Sequence, residues 1–142
     1  MDSVDKNILE ILKKDGRISL SEISNKVGLS IPAVRERIKK MEVSGAIKQY
    51  SVILNNEFFG KNLDCYCKVE LNPTEGASNI FKEFILAEDA IIECYTITGD
   101  YEFLVHFLTE DTKSLEKLIF KMRDLGIIKR SNTQIVLSKM KG

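Results

Sequence analysis

ISLSEISNKVGLSIPAVRERIKKMEVSGAI, residues 18–47, contains two short amphipathic helix patterns that are separated by a glycine. The first pattern opens with Ser19, followed three residues later by Glu22, which together form a capping box at a helix start. Gly28 then permits a sharp turn, because glycine adopts backbone angles that other residues avoid. Ser30 can cap the second helix. The stretch therefore predicts two helices joined by a tight turn.

The second helix of this pair has one apolar stripe and a basic surface. Its apolar positions recur at helical spacing, and Gly45 is placed to end the helix. A small core stripe beside a basic surface is what a helix-turn-helix presents to a DNA groove. The apolar positions are Val34, Ile38 and Met41, and the cations are Arg35, Arg37, Lys39 and Lys40.

Charge is divided unequally along the chain, although the formal net charge of the 142 residues is zero. Residues 1–54 contain ten Lys and Arg against seven Asp and Glu, a balance of +3, and the remainder has eleven against fourteen, a balance of −3. The N-terminal part is therefore the one suited to a polyanion. No apolar run approaches the ~20 residues that a membrane span requires, and no signal peptide is visible. We expect a cytoplasmic protein without a membrane partner.

The residues that most often carry catalysis are sparse. Cys65, Cys67 and Cys94 lack C-x-x-C spacing, so we expect free thiols rather than metal ligands, with the first two in the core. His106, the single histidine, lies between Val105 and Phe107 and is expected to be a buried or interface residue. We find no nucleophile–base pair and no phosphate loop. The sequence predicts a protein that is not an enzyme and has neither cofactor nor metal.

The chain divides into two parts with different patterns of predicted secondary structure. A first helix from Ser3 to Lys14 completes a three-helix head over residues 1–54, and residues 55–62 are expected to be a linker. The remainder alternates strands and helices in the order β-α-β-β-α-β, which is the ferredoxin-like arrangement. The predicted elements are strand Leu63–Leu71, a helix from about Ala77, strands Ala90–Thr98 and Tyr101–Leu108 around a two-residue turn at Gly99-Asp100, helix Thr112–Asp124 and strand Thr133–Lys139.

Both helices of a ferredoxin-like domain lie on one face of its sheet, which leaves the other face uncovered. In the strand Tyr101–Leu108 that second face carries Leu104 and Leu108. Exposed apolar patches often mark interfaces. The pattern predicts a homodimer in which two sheets pack face to face.

Several short motifs, in order, resemble the Lrp/AsnC family of transcription regulators. The resemblance covers nearly the whole chain and implies an N-terminal winged-type helix-turn-helix joined to a C-terminal effector-sensing domain. It also implies dimers that assemble further. The motifs are Asp5-x-x-Ile8-Leu9, Asp15-Gly16-Arg17, Val27-Gly28-Leu29-Ser30, Val34-x-x-Arg37-Ile38, Gly45-x-Ile47-x-x-Tyr50, Thr98-Gly99-Asp100-Tyr101 and Ser131-x-Thr133 followed by Ile135-Val136-Leu137.

Two sets of site residues follow. For contact with double-stranded DNA we select residues of the second helix and its cap, and Arg37 and Lys40 are the leading candidates because arginine can grip guanine bidentately. Glu36 is unexplained, since it would face phosphates. The resemblance implies a small-molecule effector, commonly an amino acid, at the turn between the second and third strands. The DNA set is Ser30, Ile31, Ala33, Arg35, Glu36, Arg37, Lys39 and Lys40, and the effector set is Gly99, Asp100, Tyr101, Glu102, Ser131 and Thr133.

Two alternatives remain open at this stage. Certain haem-pathway decarboxylases look like the same architecture, and such an enzyme would bind a tetrapyrrole near His106 or Arg130. An architectural DNA-binding protein would need no effector and would show little sequence preference.

Overall fold

The computed structural model describes residues 1–141, which form two compact units. The first unit is Met1–Leu54, and the second begins at Asn55. Within the described residues, no helix is long and apolar enough to cross a membrane.

The first unit is a head of three helices whose starts are all capped by side chains. These are α1 (Ser3–Lys14), α2 (Leu20–Val27) and α3 (Ile31–Val43), with α1 bounded as the sequence predicts. The predicted capping box at the start of α2 is confirmed, and α1 begins with a second one. Each box satisfies amide groups that a helix start leaves without partners. The segment after α3, residues 47–54, carries no strand in the described chain.

The turn between α2 and α3 is held by backbone and side-chain hydrogen bonds. Gly28 has a φ of 69°, in the left-handed region that favours glycine. Its N–H donates to the Ser24 carbonyl at 2.9 Å, and the Ser24 hydroxyl donates to the Leu29 carbonyl. The turn brings one apolar stripe of each helix into a shared core. The buried members of that core are Ile8, Ile23, Val34, Ile38 and Met41.

The second unit is a four-stranded antiparallel sheet with the predicted ferredoxin-like order of elements. The strand order across the sheet is β2-β3-β1-β4, so β1 and β3 are central. A short 3-10 helix precedes the first strand. The elements are 3-10 helix Asn56–Phe59, β1 (Leu63–Leu71), α4 (Ala77–Ala87), β2 (Ile91–Thr96), β3 (Phe103–Thr109), α5 (Thr112–Asp124) and β4 (Ile128–Ile135).

One face of the sheet is covered by α4 and α5 and forms the core. The alternating residues of β1 that the sequence predicts to point inward are buried, including both cysteines of that strand. Helix residues such as Phe81, Leu118 and Met122 pack on them. The opposite face, which we call the open face, includes Leu104, His106 and Leu108 of β3.

The predicted two-residue hairpin turn at Gly99 and Asp100 is wrong. Six residues, 97–102, connect β2 to β3, and the Ile97 N–H closes this wider turn by donating to the Glu102 carbonyl at 2.8 Å. The Glu102 N–H donates to the Val69 carbonyl of β1 at 3.0 Å, so Glu102 bonds to both of its neighbours in the sheet.

The last strand is also displaced from its predicted position, Thr133–Lys139. It runs from Ile128 to Ile135, because its partner β1 begins at Leu63 and offers no backbone beyond that point. The Val136 N–H makes one more bond to β1 at 2.8 Å. Leu137 is 95% exposed, so the apolar end of the predicted strand has no partner.

Candidate DNA-reading helix and effector turn

One flank of α3 is bound to the start of α1 through Arg37. Its Nη1 donates to the carboxylates of Asp2 and Asp5, each at 2.7 Å. Only 32% of the Arg37 side chain is exposed. Arg37 therefore joins two helices of the head, a structural role in addition to the DNA contact that the sequence predicts for it.

The charges around Arg37 stabilise one another. The hydrogen bond from Arg37 lowers the pKa of Asp5 below its ordinary value. The pKa of Asp2 is lowered mainly by the hydrogen bond from the Asp5 amide and next by the one from Arg37. The two carboxylates in turn raise the pKa of Arg37. All three groups are thus held in their charged forms.

The same flank pairs its second cation with the acid that the sequence left unexplained. Lys40 Nζ lies 3.9 Å from Glu36 Oε1, one helical turn away. Both side chains are well exposed, so the pair is weak. Glu36 lowers the charge that Lys40 offers to a polyanion.

The other flank of α3 offers cations without acidic partners. Arg35 and Lys39 are exposed, and neither forms an ion pair among residues 1–141. They border a groove that is also lined by Gly16 and Tyr50. The Tyr50 hydroxyl donates to Glu42 at 2.9 Å, which holds the segment after α3 along this side. We call Arg35 and Lys39 the free flank.

The remaining predicted DNA-contacting residues lie at the N-terminal end of α3. The Ser30 hydroxyl accepts from the Ala33 N–H at 3.4 Å, as a helix cap does. Ile31, the first residue of α3, is 40% exposed. Arg17 lies outside the predicted DNA set, although the motif Asp15-Gly16-Arg17 contains it, and it is exposed in the turn beside Gly16.

The turn of residues 97–102 is fixed by Arg130 of β4, a residue outside the predicted effector set. Arg130 Nη2 donates to the Asp100 carbonyl at 2.8 Å, and the guanidinium lies 4.5 Å from the centroid of the Tyr101 ring. Its Nε donates to Glu70 at 3.0 Å. Lys129 and then Arg130 lower the pKa of Glu70, so this carboxylate stays ionised.

Ser131 and Thr133 lie on the opposite side of β4 from Arg130. Thr133 pairs in register with Cys67 of β1, and its hydroxyl donates to the Cys67 sulfur at 3.2 Å, on the helix-covered face. Ser131 shares that face, since side chains alternate along a strand. Within the chain, the structure does not bring these two side chains to the turn.

Comparison with known families assigns both units. Residues 1–42 match the model of the AsnC-type helix-turn-helix domain, and residues 64–142 match that of the Lrp/AsnC ligand binding domain. The chain belongs to the Lrp/AsnC family. It is therefore a DNA-binding transcription regulator with a ligand-binding domain, and this family is not one of enzymes, which removes the decarboxylase alternative.

Individual relatives of this Lrp/AsnC regulator match over almost its full length. The HTH-type transcriptional regulator FL11 of Pyrococcus furiosus is 33% identical, and the match covers 96% of this chain and 89% of that protein. The leucine-responsive regulatory protein of Escherichia coli is 32% identical, with 99% and 87% covered.

Solved structures share the fold of this Lrp/AsnC regulator. LrpC of B. subtilis superposes with a TM-score of 0.88 at 29% identity, covering 99% of this chain and 97% of that one. A feast or famine regulatory protein from M. tuberculosis, in complex with L-methionine, gives a TM-score of 0.83 at 25% identity, with 99% and 95% covered.

Proposed function

We propose that this protein is a sequence-specific regulator that reads DNA with the N-terminal end and free flank of α3. The observation that carries the proposal is the unequal pairing of the cations on that helix. Arg35 and Lys39 are available to a polyanion, whereas Arg37 and Lys40 already face carboxylates. Small Ala33 and the Ser30 cap allow close approach to base edges. Arg35 is the candidate for a base contact and Lys39 for a phosphate contact.

Selection of bound DNA from a random pool tests this function. A regulator that reads sequence enriches a roughly palindromic site whose half-sites lie about one helical turn, or a multiple of it, apart. An architectural DNA-binding protein enriches no site. The selection is repeated with a mixture of amino acids to detect an effector response in the same experiment.

We propose further that the protein works as a homodimer in which two open faces pack together, and that such dimers assemble further. Leu104 and Leu108 support this interface because they lie on a sheet face that neither helix covers. Two heads in one particle bind a palindromic site more tightly than one, because the second contact is intramolecular. Sedimentation equilibrium tests it, with Leu104→Arg as the disrupting variant and Leu137→Arg, at an exposed leucine outside the sheet, as the matched control.

The effector is proposed to be an amino acid that binds at the turn of residues 97–102. The support is the family assignment of this unit and the methionine complex of the M. tuberculosis relative. Gly99, Asp100, Tyr101 and Glu102 form the turn, and an acidic side chain there can hold an ammonium group. An effector changes assembly only as far as it binds two assembly states differently.

Calorimetric titration with leucine and methionine tests the effector proposal. Asp100→Asn should weaken binding while leaving the fold intact, because Arg130 contacts the backbone carbonyl of Asp100 and not its side chain. Asp124→Asn, at the exposed end of α5, is the matched control. No heat of binding for a panel of all common amino acids would refute an amino-acid effector.

A further inference from the structure

A histidine lies near the centre of the open face with an acidic residue at each ring nitrogen. His106 Nε2 is 2.6 Å from Asp64 Oδ1 on β1, and Nδ1 is 3.2 Å from Glu93 Oε2 on β2. The Tyr66 ring stacks on the imidazole with centroids 4.2 Å apart. The His106 side chain is only 11% exposed. We call His106, Asp64 and Glu93 the histidine cluster.

Counting donors and acceptors shows what this arrangement requires. A neutral imidazole has one N–H donor and one acceptor nitrogen, whereas ionised carboxylates only accept. Because ionised carboxylates cannot donate, both contacts of His106 can be hydrogen bonds only when both ring nitrogens carry protons. The cluster then has a net charge of −1. With a neutral ring it has a charge of −2 and one nitrogen that faces an acceptor.

Other ionisable groups also lie on the open face, and two of them form an ion pair there. They are Tyr66, Lys68 and Glu70 on β1, Tyr95 on β2 and Arg130 on β4, of which Arg130 binds Glu70. Burial raises the pKa of Tyr66, and a hydrogen bond with Glu93 raises that of Tyr95. On the helix-covered face, burial likewise raises the pKa of Cys67, which keeps that thiol protonated.

We propose that His106 takes up a proton when the open face binds a second copy of the chain, so that dimerisation strengthens from about pH 8 to about pH 6. The inference rests on the proposed dimer. The carboxylates of Asp64 and Glu93 are 41% and 48% exposed, so a second copy would withdraw water from them. An imidazolium between them offsets the cost of burying their charge. If each copy takes up one proton on binding, the association constant falls as pH rises. The fall is up to about tenfold per copy for each pH unit.

Sedimentation equilibrium of the full chain, in buffers that contain EDTA, measures this linkage. The wild-type dissociation constant should be at least about tenfold larger near pH 8 than near pH 6. His106→Gln should remove that difference. The matched control Lys68→Gln changes one charge on the same face outside the cluster and should retain it. An equal constant at both pH values, or a pH dependence that persists in His106→Gln, would overturn the proposal.

The unmodified chain offers a second test, because it contains a single histidine. Its ring C–H resonance can be followed by NMR without any assignment. The protonation midpoint should move to higher pH when the protein concentration rises through the dimerisation range, and an unchanged midpoint contradicts the proposal. A dimer without pH dependence refutes proton uptake alone, whereas a monomer under every condition refutes the dimer as well.

Discussion

The two flanks of α3 carry similar numbers of cations and differ in what those cations contact. On one flank, Arg37 binds two carboxylates of α1 and Lys40 lies beside Glu36. On the other, Arg35 and Lys39 have no acidic partner among the described residues. We therefore expect the cations without partners, and not the total count of basic residues, to define the DNA-binding surface of this helix.

The largest expected effect comes from the free flank. Arg35→Ala combined with Lys39→Ala should weaken binding to the selected DNA site by roughly ten- to hundredfold and lower the salt slope by about one. Fluorescence anisotropy at several salt concentrations measures both quantities. Lys113→Ala combined with Lys117→Ala removes the same charge from α5 and should leave affinity nearly unchanged. Equal losses in the two double variants would show that net charge alone decides binding.

Arg37→Ala should affect the stability of the head more than its DNA contacts. The variant leaves the Asp2 and Asp5 carboxylates close together without their cation, so the thermal midpoint of the head falls. Arg35→Ala is the matched control, since it removes the same side chain from the same helix without breaking an ion pair. Calorimetry of both variants compares them. A lower midpoint for Arg35→Ala than for Arg37→Ala would reverse the roles assigned to the flanks.

The loss of folding stability at low pH also distinguishes the flank of Arg37 from the free flank. The pKa values of Asp2 and Asp5 are lowered in the folded head, so their contribution is present above the ordinary aspartate pKa of about 4 and is lost as pH falls through the lowered values. Denaturation of the wild-type chain between about pH 5 and pH 2 should show this loss. The loss should be smaller in Arg37→Ala, and an identical acid profile in that variant would exclude the ion pairs as its source.

The smallest effect is expected at Glu36. Glu36→Gln releases Lys40 and removes one negative charge from the DNA-facing helix, so affinity should rise by a few fold at low salt and less at high salt. The anisotropy assay that tests the free flank detects this change. Glu116→Gln on α5 serves as the control, and reduced affinity in Glu36→Gln would indicate that Glu36 itself contacts a base.

Features that depend on neighbouring residues could be predicted from the sequence. The bounds of α1, β1 and α5 agree with the predicted ones, because caps and local apolar periodicity define them. The start of β4 could not be found in this way. It is decided by where β1 begins and ends, more than 50 residues earlier in the chain.

The features of the candidate site also divide into local ones that the sequence predicts and long-range ones that it does not. The cap at Ser30 and the apolar stripe of α3 are local and were visible in the sequence. The carboxylates that engage Arg37 lie 32 and 35 residues away, so no local pattern indicates that this arginine is occupied. Arg130 reaches the turn at Asp100 across a similar separation. Long-range ion pairs decide which charged residues remain available to a ligand. Such pairs can be identified only when the fold is known.

Each unit of the protein builds its buried core from its own side chains, from Ile8 to Met41 in the first and from Cys65 to Ile127 in the second. We therefore expect each unit to fold when it is joined to a different partner. A chimera that carries another regulator's head in front of Asn55 is expected to fold and to bind that regulator's DNA site.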